Sequence, residues 1–208
     1  MSISKNTPAL ARSAAAALAD NEKTNASTGK KAVQPVEDSV VQAYGSIIPM
    51  KLALSEEVRH RSAAALNRLL ADTMALRDLY KKAHWQSSGA TFYQLHLLFD
   101  KHYGEQIELM DALAERVQML GGVALALAHD VAEESGIARA PRGREAVPAQ
   151  LTRLLEAHEL ILGEARPLAR EAGERGDDGS NDLIVSQLIR TNEMQSWFVG
   201  EHLARWER

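Results

Sequence analysis

The feature that most constrains the fold is a helical spacing of apolar residues along most of the chain after residue 55. The first stripe comprises Leu66, Leu69, Leu70, Leu76, Leu79 and Tyr80. The second comprises Phe92, Leu95, Phe99, Tyr103, Met110, Ala114 and Val117. Each stripe gives a helix one apolar face, and the strict alternation typical of strands is absent throughout. The chain is therefore predicted to be all-α.

Local signals place the ends of the first two helices. Ser55 is an N-cap candidate followed by two glutamates, so the first helix is predicted to run from there to about His84. The stretch "QSSGA" interrupts the pattern. The second helix is predicted to be about thirty residues long and to stop at Gly121-Gly122, because paired glycines commonly end helices.

The second half of the chain supplies two further long helices. Residues 123–146 are a looser connection, with a short helix predicted around residues 129–134. A third helix is predicted from about Pro148 to Ala172, despite Pro167, and a fourth follows the turn "GERGDDGSND". The predicted architecture is a four-helix bundle with one long crossover connection that carries a short helix.

Length and charge predict one bundle with an N-terminal extension. A chain of 208 residues with 45% apolar content can bury one core. Residues 1–50 are predicted to be a largely flexible extension and residues 51–208 the bundle, with "VVQAYGSIIPMKLAL" as an ordered strap before it. Residues 1–35 carry five basic side chains against two acidic ones, whereas the rest of the chain is acidic. No run is apolar enough to span a membrane, so we expect a soluble, cytoplasmic protein.

Five side chains among the apolar residues are candidates for metal ligands: His84, His96, Asp100, Asp111 and Glu115. The chain has no cysteine, which leaves histidine and carboxylates as its only plausible ligands. On a helix, His96 shares one face with Asp100, and Asp111 shares one face with Glu115. Asp100 and Asp111 lie about 16 Å apart along the axis, which is too far for one metal centre.

A second copy of the chain would complete the site. If two copies of the second helix cross antiparallel near its middle, Asp111 and Glu115 of one chain fall opposite His96 and Asp100 of the other. Two equivalent shared sites result. Gly104 lies near the midpoint on the same face, where a missing side chain allows close approach, although glycine costs a helix about 1 kcal/mol relative to alanine.

Each candidate also has a structural interpretation. A lone histidine on an apolar face is more often a hydrogen-bonded core residue, and carboxylates four residues apart usually face solvent. We apply the core interpretation to the histidines outside the constellation, which are His60, His102, His129, His158 and His202. Imidazole and carboxylate ligands suit ferrous iron and also manganese or zinc.

The stretch "KKAHWQSSGATFYQLHLLFDKHYGEQIELMDALAERVQMLGG" resembles the signature of Dps-type mini-ferritins, the starvation-induced DNA-binding proteins of bacteria. The similarity covers about residues 50–208. It implies a ferritin-like fold, a hollow dodecamer built from two-fold dimers, and oxidation of ferrous iron by hydrogen peroxide with storage of ferric mineral. It also implies an intersubunit ferroxidase centre made of His84, His96 and Asp100 from one chain and Asp111 and Glu115 from its partner.

The resemblance assigns further roles. Trp85 is similar to a family tryptophan that donates electrons, although it could equally be a core aromatic. Asp178 and Asp182 resemble acids that line a three-fold entry pore; alternatively they complement the dipole of the fourth helix. The chain departs from the pattern at positions where some relatives carry acids in the pore or facing the cavity: Gly173, Leu97 and Lys101.

DNA binding is the main alternative. Twelve weakly basic arms could bind DNA through multivalency, which would make the protein a non-enzymatic, nucleoid-associated coat that protects DNA. The acidic body and the low charge density of the arm argue against it. A third alternative is a purely structural helical assembly, in which all five candidate ligands are incidental.

Overall fold

Six α-helices and one π-helical segment form the described part of the chain. The computed structural model describes residues 39–204, so the predicted flexible arm over residues 1–35 lies outside the described residues. The elements are α1 (Glu56–Gln86), α2 (Phe92–Met119), α3 (Ala128–Glu134), α4 (Val147–Glu174), α5 (Asp178–Asp182), a π-helical segment (Leu183–Ile189) and α6 (Arg190–Glu201). No strand occurs within residues 39–204. The predicted four-helix bundle, with a crossover carrying a short helix, is confirmed.

The predicted helix ends are produced by the residues identified from the sequence. The Ser55 hydroxyl accepts a hydrogen bond from the Val58 backbone N–H at 3.2 Å and caps α1. Gly121 follows α2 with φ of +86°, a left-handed conformation that favours glycine, and a Cβ there would lie 2.5 Å from Ile48 O. Conformation and space therefore both require glycine at this turn.

The core lies between the four long helical segments. Its fully buried side chains include Leu66, Leu69, Leu70 and Leu76 of α1, Leu95, Phe99, Leu113 and Val117 of α2, Ile161 and Ala165 of α4, and Leu188 of the π-helical segment. Burial of each large apolar side chain contributes about 1.5–3 kcal/mol. Both predicted apolar stripes thus face this core, except for Phe92 at the start of α2, which is exposed.

The strap before α1 is ordered, as predicted. The Ile48 backbone N–H donates to Gly121 O at 2.9 Å, and the Gln42 side chain donates to the same oxygen at 2.9 Å. The Arg59 guanidinium donates to Ile48 O and Leu120 O, both at 2.8 Å. These bonds hold residues 42–48 against the end of α2. The exact boundary proposed at residue 50 stays a prediction.

The crossover is fixed to α1 by a buried carboxylate. Asp72 is 2% exposed and accepts hydrogen bonds from Ser135 Oγ at 2.7 Å and the Gly136 backbone N–H at 2.8 Å. Burial raises the pKa of Asp72 above its ordinary value. The loop after α3 is therefore anchored on the bundle.

The fourth bundle helix differs from the regular helix that the sequence predicts. Residues 183–189 form a π-helical segment between α5 and α6. By contrast, Pro167 lies inside α4 without ending it. Within residues 39–204, no helix combines the length and apolarity needed to cross a membrane.

A candidate metal centre

His84 and His96 hold each other through their backbones. His84 lies near the end of α1 and His96 in the second turn of α2. His84 Nδ1 is 2.7 Å from His96 O, and His96 Nδ1 is 3.0 Å from His84 O. The two rings stack with centroids 3.7 Å apart and planes inclined by 19°. The crossing of the two helices therefore fixes both imidazoles.

This pairing determines where each imidazole carries its proton. A carbonyl oxygen only accepts hydrogen bonds, so each Nδ1 must be the N–H donor. In a neutral ring, the lone pair is then on Nε2, which is the state in which histidine binds metals. A hydrogen bond from the other ring nitrogen to a backbone carbonyl is also the usual way in which metal-binding histidines are oriented. Both side chains are thus preset as ligands.

Asp100 lies beside these rings as an ionised, half-exposed carboxylate. Its Oδ1 is 3.9 Å from His84 Nδ1 and 2.6 Å from Lys81 Nζ. The hydrogen bond and charge of Lys81 hold the pKa of Asp100 below its ordinary value. The Lys81 ammonium also lies 4.3 Å from the centroid of the Tyr103 ring. The sequence reading missed Lys81, which competes with a metal cation for this carboxylate.

Asp111 and Glu115 lie toward the other end of α2. Both are exposed and line an open groove of about 540 Å³ whose apolar wall includes Met74, Met110 and Met119. Since α2 is continuous, the rise per residue separates Asp111 from Asp100 by about 16 Å. Within residues 39–204, no three His, Asp or Glu side chains are arranged to hold a metal ion. The five candidates form two separate groups in one chain.

Gly104 lies between these two groups. In the described part of the chain, nothing lies within 4 Å of the Cβ position at Gly104. Packing within one chain therefore gives no reason for glycine at this point of α2.

Trp85, next to His84, is 67% exposed. The core-aromatic interpretation is therefore wrong for a single chain. Phe92 and Tyr93 at the start of α2 are also exposed, by 43% and 68%. Apolar surface thus adjoins the two histidines.

The other five histidines divide by burial. His102 and His158 are 1% and 0% exposed and are hydrogen-bonded, which confirms the core interpretation. His60, His129 and His202 are exposed, so the core interpretation is wrong for these three. His60 lies in the second turn of α1, His129 lies in the short helix α3, and His202 is the C-cap of α6.

A buried polar network crosses the bundle interior, and the sequence reading missed it. Tyr80 Oη is 2.5 Å from His158 Nε2 and 3.1 Å from His102 Nδ1. His158 Nδ1 is 2.8 Å from Asn192 Oδ1. Burial lowers the pKa of both histidines to about 4, so both are neutral near pH 7. The sequence does contain a signal for this network. Several polar residues, which also include Gln106 and Gln195, occur at helix positions that face the core.

The candidate pore acids lie where the fourth bundle helix begins. Asp178 and Asp182 are exposed, and Asp182 Oδ1 accepts a hydrogen bond from Ser186 Oγ at 2.6 Å. Asp178 is in the first turn of α5, where a carboxylate complements the helix dipole. The N-cap is the preceding Asp177, a buried side chain that pairs with Arg116 Nη2 at 2.5 Å. The pore assignment stays a prediction.

Three positions where some relatives carry an acidic residue have a non-acidic residue in this chain: Leu97, Lys101 and Gly173. Leu97 is 50% exposed on α2, and Lys101 pairs with Glu105 one turn later. Gly173 lies in the last turns of α4, near the Asn181 side chain. Because none of these side chains has a carboxylate that could bind ferric ions, the structure does not support mineral nucleation at these positions.

Comparison with known proteins agrees with this fold. The model of the ferritin-like domain matches residues 63–208. DpsC from Streptomyces coelicolor is 54% identical in a solved structure that covers 81% of this chain and 98% of its own, with a TM-score of 0.80.

Two curated relatives extend the comparison. An uncharacterized protein of Kitasatospora aureofaciens is 51% identical over 66% of this chain and 91% of its own length. A nutrient stress-induced DNA-binding protein of Synechococcus is 32% identical over 79% of this chain and 93% of its own length. With the helical architecture, these matches show that the chain belongs to the ferritin-like superfamily as a Dps-type mini-ferritin.

Proposed function

We propose that the protein oxidises ferrous iron at sites shared between two antiparallel copies and stores the ferric product inside a hollow homo-oligomer. By family resemblance the assembly is a dodecamer built from two-fold dimers, and the oxidant is hydrogen peroxide. The activity is that of a ferroxidase, carried out in the cytoplasm or at the nucleoid.

The observation that carries the proposal is the preset pair of imidazoles. His84 and His96 each use Nδ1 on a backbone carbonyl, which leaves the Nε2 lone pair of each ring available, and Asp100 Oδ1 lies 3.9 Å from His84 Nδ1. The side chains of His84 and Asp100 are 12% and 51% exposed, so this group borders the surface of the single chain. Asp111 and Glu115 of a second copy would add two carboxylates from the opposite side, across the position of Gly104.

This ligand set suits oxidation of iron. Carboxylates stabilise ferric relative to ferrous iron, and neutral imidazoles add no charge. One hydrogen peroxide takes one electron from each of two ferrous ions and two protons from solvent, and it becomes two water molecules. Because both electrons arrive together, no hydroxyl radical is released. Zinc and manganese fit the same ligands and are expected to compete with iron.

Two further roles belong to this proposal. The exposed carboxylates Asp178 and Asp182 would concentrate ferrous ions at an entry pore, where clustered negative potential attracts cations. The exposed Trp85, adjacent to His84, would donate an electron to an oxidant that escapes the centre. Both roles need neighbouring copies or bound iron to act.

The test is an anaerobic ferrous titration followed by hydrogen peroxide, with ferric absorbance as the readout. We expect rapid oxidation by the wild type and its loss in the double variant Asp111→Asn, Glu115→Gln, which keeps side-chain volume and removes ligand charge. Glu108→Gln, at an exposed position on the same helix, is the matched control and should oxidise iron normally. Normal kinetics in the double variant, with its helicity and assembly intact, would contradict the site assignment.

DNA protection is a second candidate function, favoured by the relatives. The Synechococcus relative is named as a DNA-binding protein, and a Bacillus anthracis relative, 27% identical, is named as a protein of DNA protection during starvation. In this chain the mildly basic arm is the candidate DNA-binding segment, since the remainder is acidic. Deletion of residues 1–35 should weaken DNA binding and flatten its salt dependence in gel shifts, without affecting iron oxidation. Unaltered DNA binding would instead locate the DNA surface on the bundle.

A further inference from the structure

The hydrogen-bond directions around Tyr80 follow from Asn192. The Asn192 Nδ2 donates to Leu188 O at 2.8 Å, so its Oδ1 faces His158 Nδ1 as an acceptor. His158 therefore carries its proton on Nδ1 and accepts at Nε2. Tyr80 donates its hydroxyl proton to this nitrogen at 2.5 Å and accepts from His102 Nδ1–H at 3.1 Å.

Burial prevents simple ionisation of this pair. Tyr80 and His158 are both 0% exposed. Burial raises the pKa of Tyr80 well above its ordinary value and lowers that of His158 to about 4, so the phenol keeps its proton and the imidazole stays neutral. Removal of one electron from the phenol changes this balance, because an oxidised phenol is a strong acid. The proton then has an aligned acceptor in His158 Nε2.

Tyr80 also lies next to the proposed iron site. It precedes His84 by four residues on α1, which is about 6 Å along the helix axis and on the same face. Its ring centroid is 6.1 Å from that of Phe99, the residue before Asp100. Tyr80 is thus one helical turn from His84 and packs near the residue before Asp100, so only a short distance separates the phenol from the proposed iron ligands.

We propose that Tyr80 is a redox-active electron donor that delivers the second electron to peroxide when only one ferrous ion occupies the centre, with His158 as its proton acceptor. This inference rests on the proposed function. Hydrogen peroxide takes one electron from the iron and one from Tyr80, together with two solvent protons, and becomes two water molecules. The products are ferric iron, a neutral tyrosyl radical and a His158 imidazolium.

The cycle closes with the next ferrous ion. It reduces the tyrosyl radical and becomes ferric, while the proton returns from His158 Nε2 to the phenolate oxygen. Tyr80 thus prevents release of hydroxyl radical at half-filled sites. His158 acts only through Tyr80 and is a positioning residue.

The test loads one ferrous ion per site anaerobically, adds hydrogen peroxide and freezes the sample for electron paramagnetic resonance. We expect a tyrosyl signal in the wild type whose hyperfine pattern changes with ring-deuterated tyrosine. The signal should be lost in Tyr80→Phe, with hydroxyl radical now caught by a spin trap. Tyr93→Phe and Tyr103→Phe are the controls and should retain the signal.

His158→Gln tests the proton step in a variant that keeps the phenol. An amide is not a base, so the tyrosyl yield should fall at least tenfold. Radical formation in the wild type should slow in D₂O, and this slowing should disappear in the variant. A tyrosyl signal that persists in Tyr80→Phe, or no tyrosyl signal in a wild type that oxidises iron rapidly at two ions per site, overturns the role of Tyr80. A wild type that oxidises no iron overturns the proposed function instead.

Discussion

The two imidazoles of the metal centre are oriented by backbone carbonyls rather than by carboxylates. A neutral partner fixes the tautomer without adding negative charge behind the ring, so the charge of the centre comes from Asp100 and from the acids of a second copy. The helical spacing of His96 and Asp100 was readable in the sequence. The two hydrogen bonds between each ring and the other residue's carbonyl were not readable. They require α1 and α2 to cross at residues 84 and 96, and the apolar spacing along either helix does not encode that tertiary contact.

Lys81 would oppose metal binding at the proposed centre. Its ammonium hydrogen-bonds Asp100 at 2.6 Å, and a divalent ion must displace it. Lys81→Gln removes that competing charge, so we expect the apparent dissociation constant for Zn²⁺ to fall by a few-fold, and more so at low ionic strength. Titration calorimetry of the metal-free protein measures the change.

Lys82→Gln is the matched control, because Lys82 pairs with Glu145 and Gly143 O on the other side of α1. It should leave Zn²⁺ affinity unchanged. Equal affinities for the wild type and Lys81→Gln would show that Lys81 swings away from Asp100 at no cost.

At the scale of elements, helix ends were predictable wherever their signals are local. Ser55 and Gly121 act within a few residues of themselves. The start of the fourth bundle helix was harder to predict, because Asp177 caps α5 while its partner Arg116 lies 61 residues earlier on α2. The π-helical segment was also missed, since its apolar residues fit an ordinary helix pattern.

The Arg116–Asp177 pair should dominate the stability of this junction. Burial raises the pKa of Asp177, but its hydrogen bonds and the Arg116 charge more than offset this and lower the pKa below its ordinary value. Arg116→Met leaves that buried carboxylate without its cation. We expect a loss of about 3–5 kcal/mol in the free energy of unfolding, measured by urea denaturation at pH 7.

Arg166→Met provides the comparison. Arg166 pairs with Glu193 between α4 and α6, and both side chains are about half exposed. Because solvent screens such a pair, its removal should cost only about 0–1 kcal/mol. Similar losses in the two variants would contradict the special role of the buried pair.

The buried network makes the bundle sensitive to acid. Burial lowers the pKa of His158 to about 4, whereas a histidine in the unfolded chain has its ordinary pKa of 6.5. Between these values the unfolded state binds more protons, so stability is complete above about pH 6.5 and falls as the pH drops toward 4. From this residue alone the loss is about 3 kcal/mol. Urea denaturation of the metal-free protein from pH 7 to pH 4 should reveal it.

His158→Phe should flatten this pH profile, although it lowers stability at pH 7 because the Tyr80 hydroxyl loses its acceptor and Asn192 Oδ1 loses one of its donors. His129→Gln, at an exposed position on α3, should keep the wild-type profile. An unchanged slope in His158→Phe would assign the acid sensitivity to other groups.

At the scale of the whole molecule, the spacing of the candidate ligands along α2 is the main reason to expect that two chains share a site. The helix rise alone separates Asp100 from Asp111 by about 16 Å, so the need for a second chain could be predicted from the sequence. The proposed number of copies comes from the family resemblance alone, because no local pattern encodes a closed shell. The missing side chain of Gly104 faces open space in one chain, so the role proposed for this glycine depends on the assembly.

The shared site can be tested with two complementary variants. One carries His84→Ala and His96→Ala, and the other carries Asp111→Ala and Glu115→Ala. Each alone should be inactive in ferrous oxidation, because every site then lacks one half of its ligands. Co-expression with two different affinity tags and sequential purification isolates the mixed assemblies.

In a mixed dimer the two sites are no longer equivalent. One site receives both sets of defects, whereas the other combines intact histidines and Asp100 from one chain with Asp111 and Glu115 from the other. We therefore expect mixed dimers to recover about half of the wild-type oxidation rate, since one of their two sites is complete. If each site were built within one chain, every site would remain damaged and no activity would return. Failure of rescue in a verified mixed assembly would thus refute the antiparallel pairing of α2, and with it the role of Gly104.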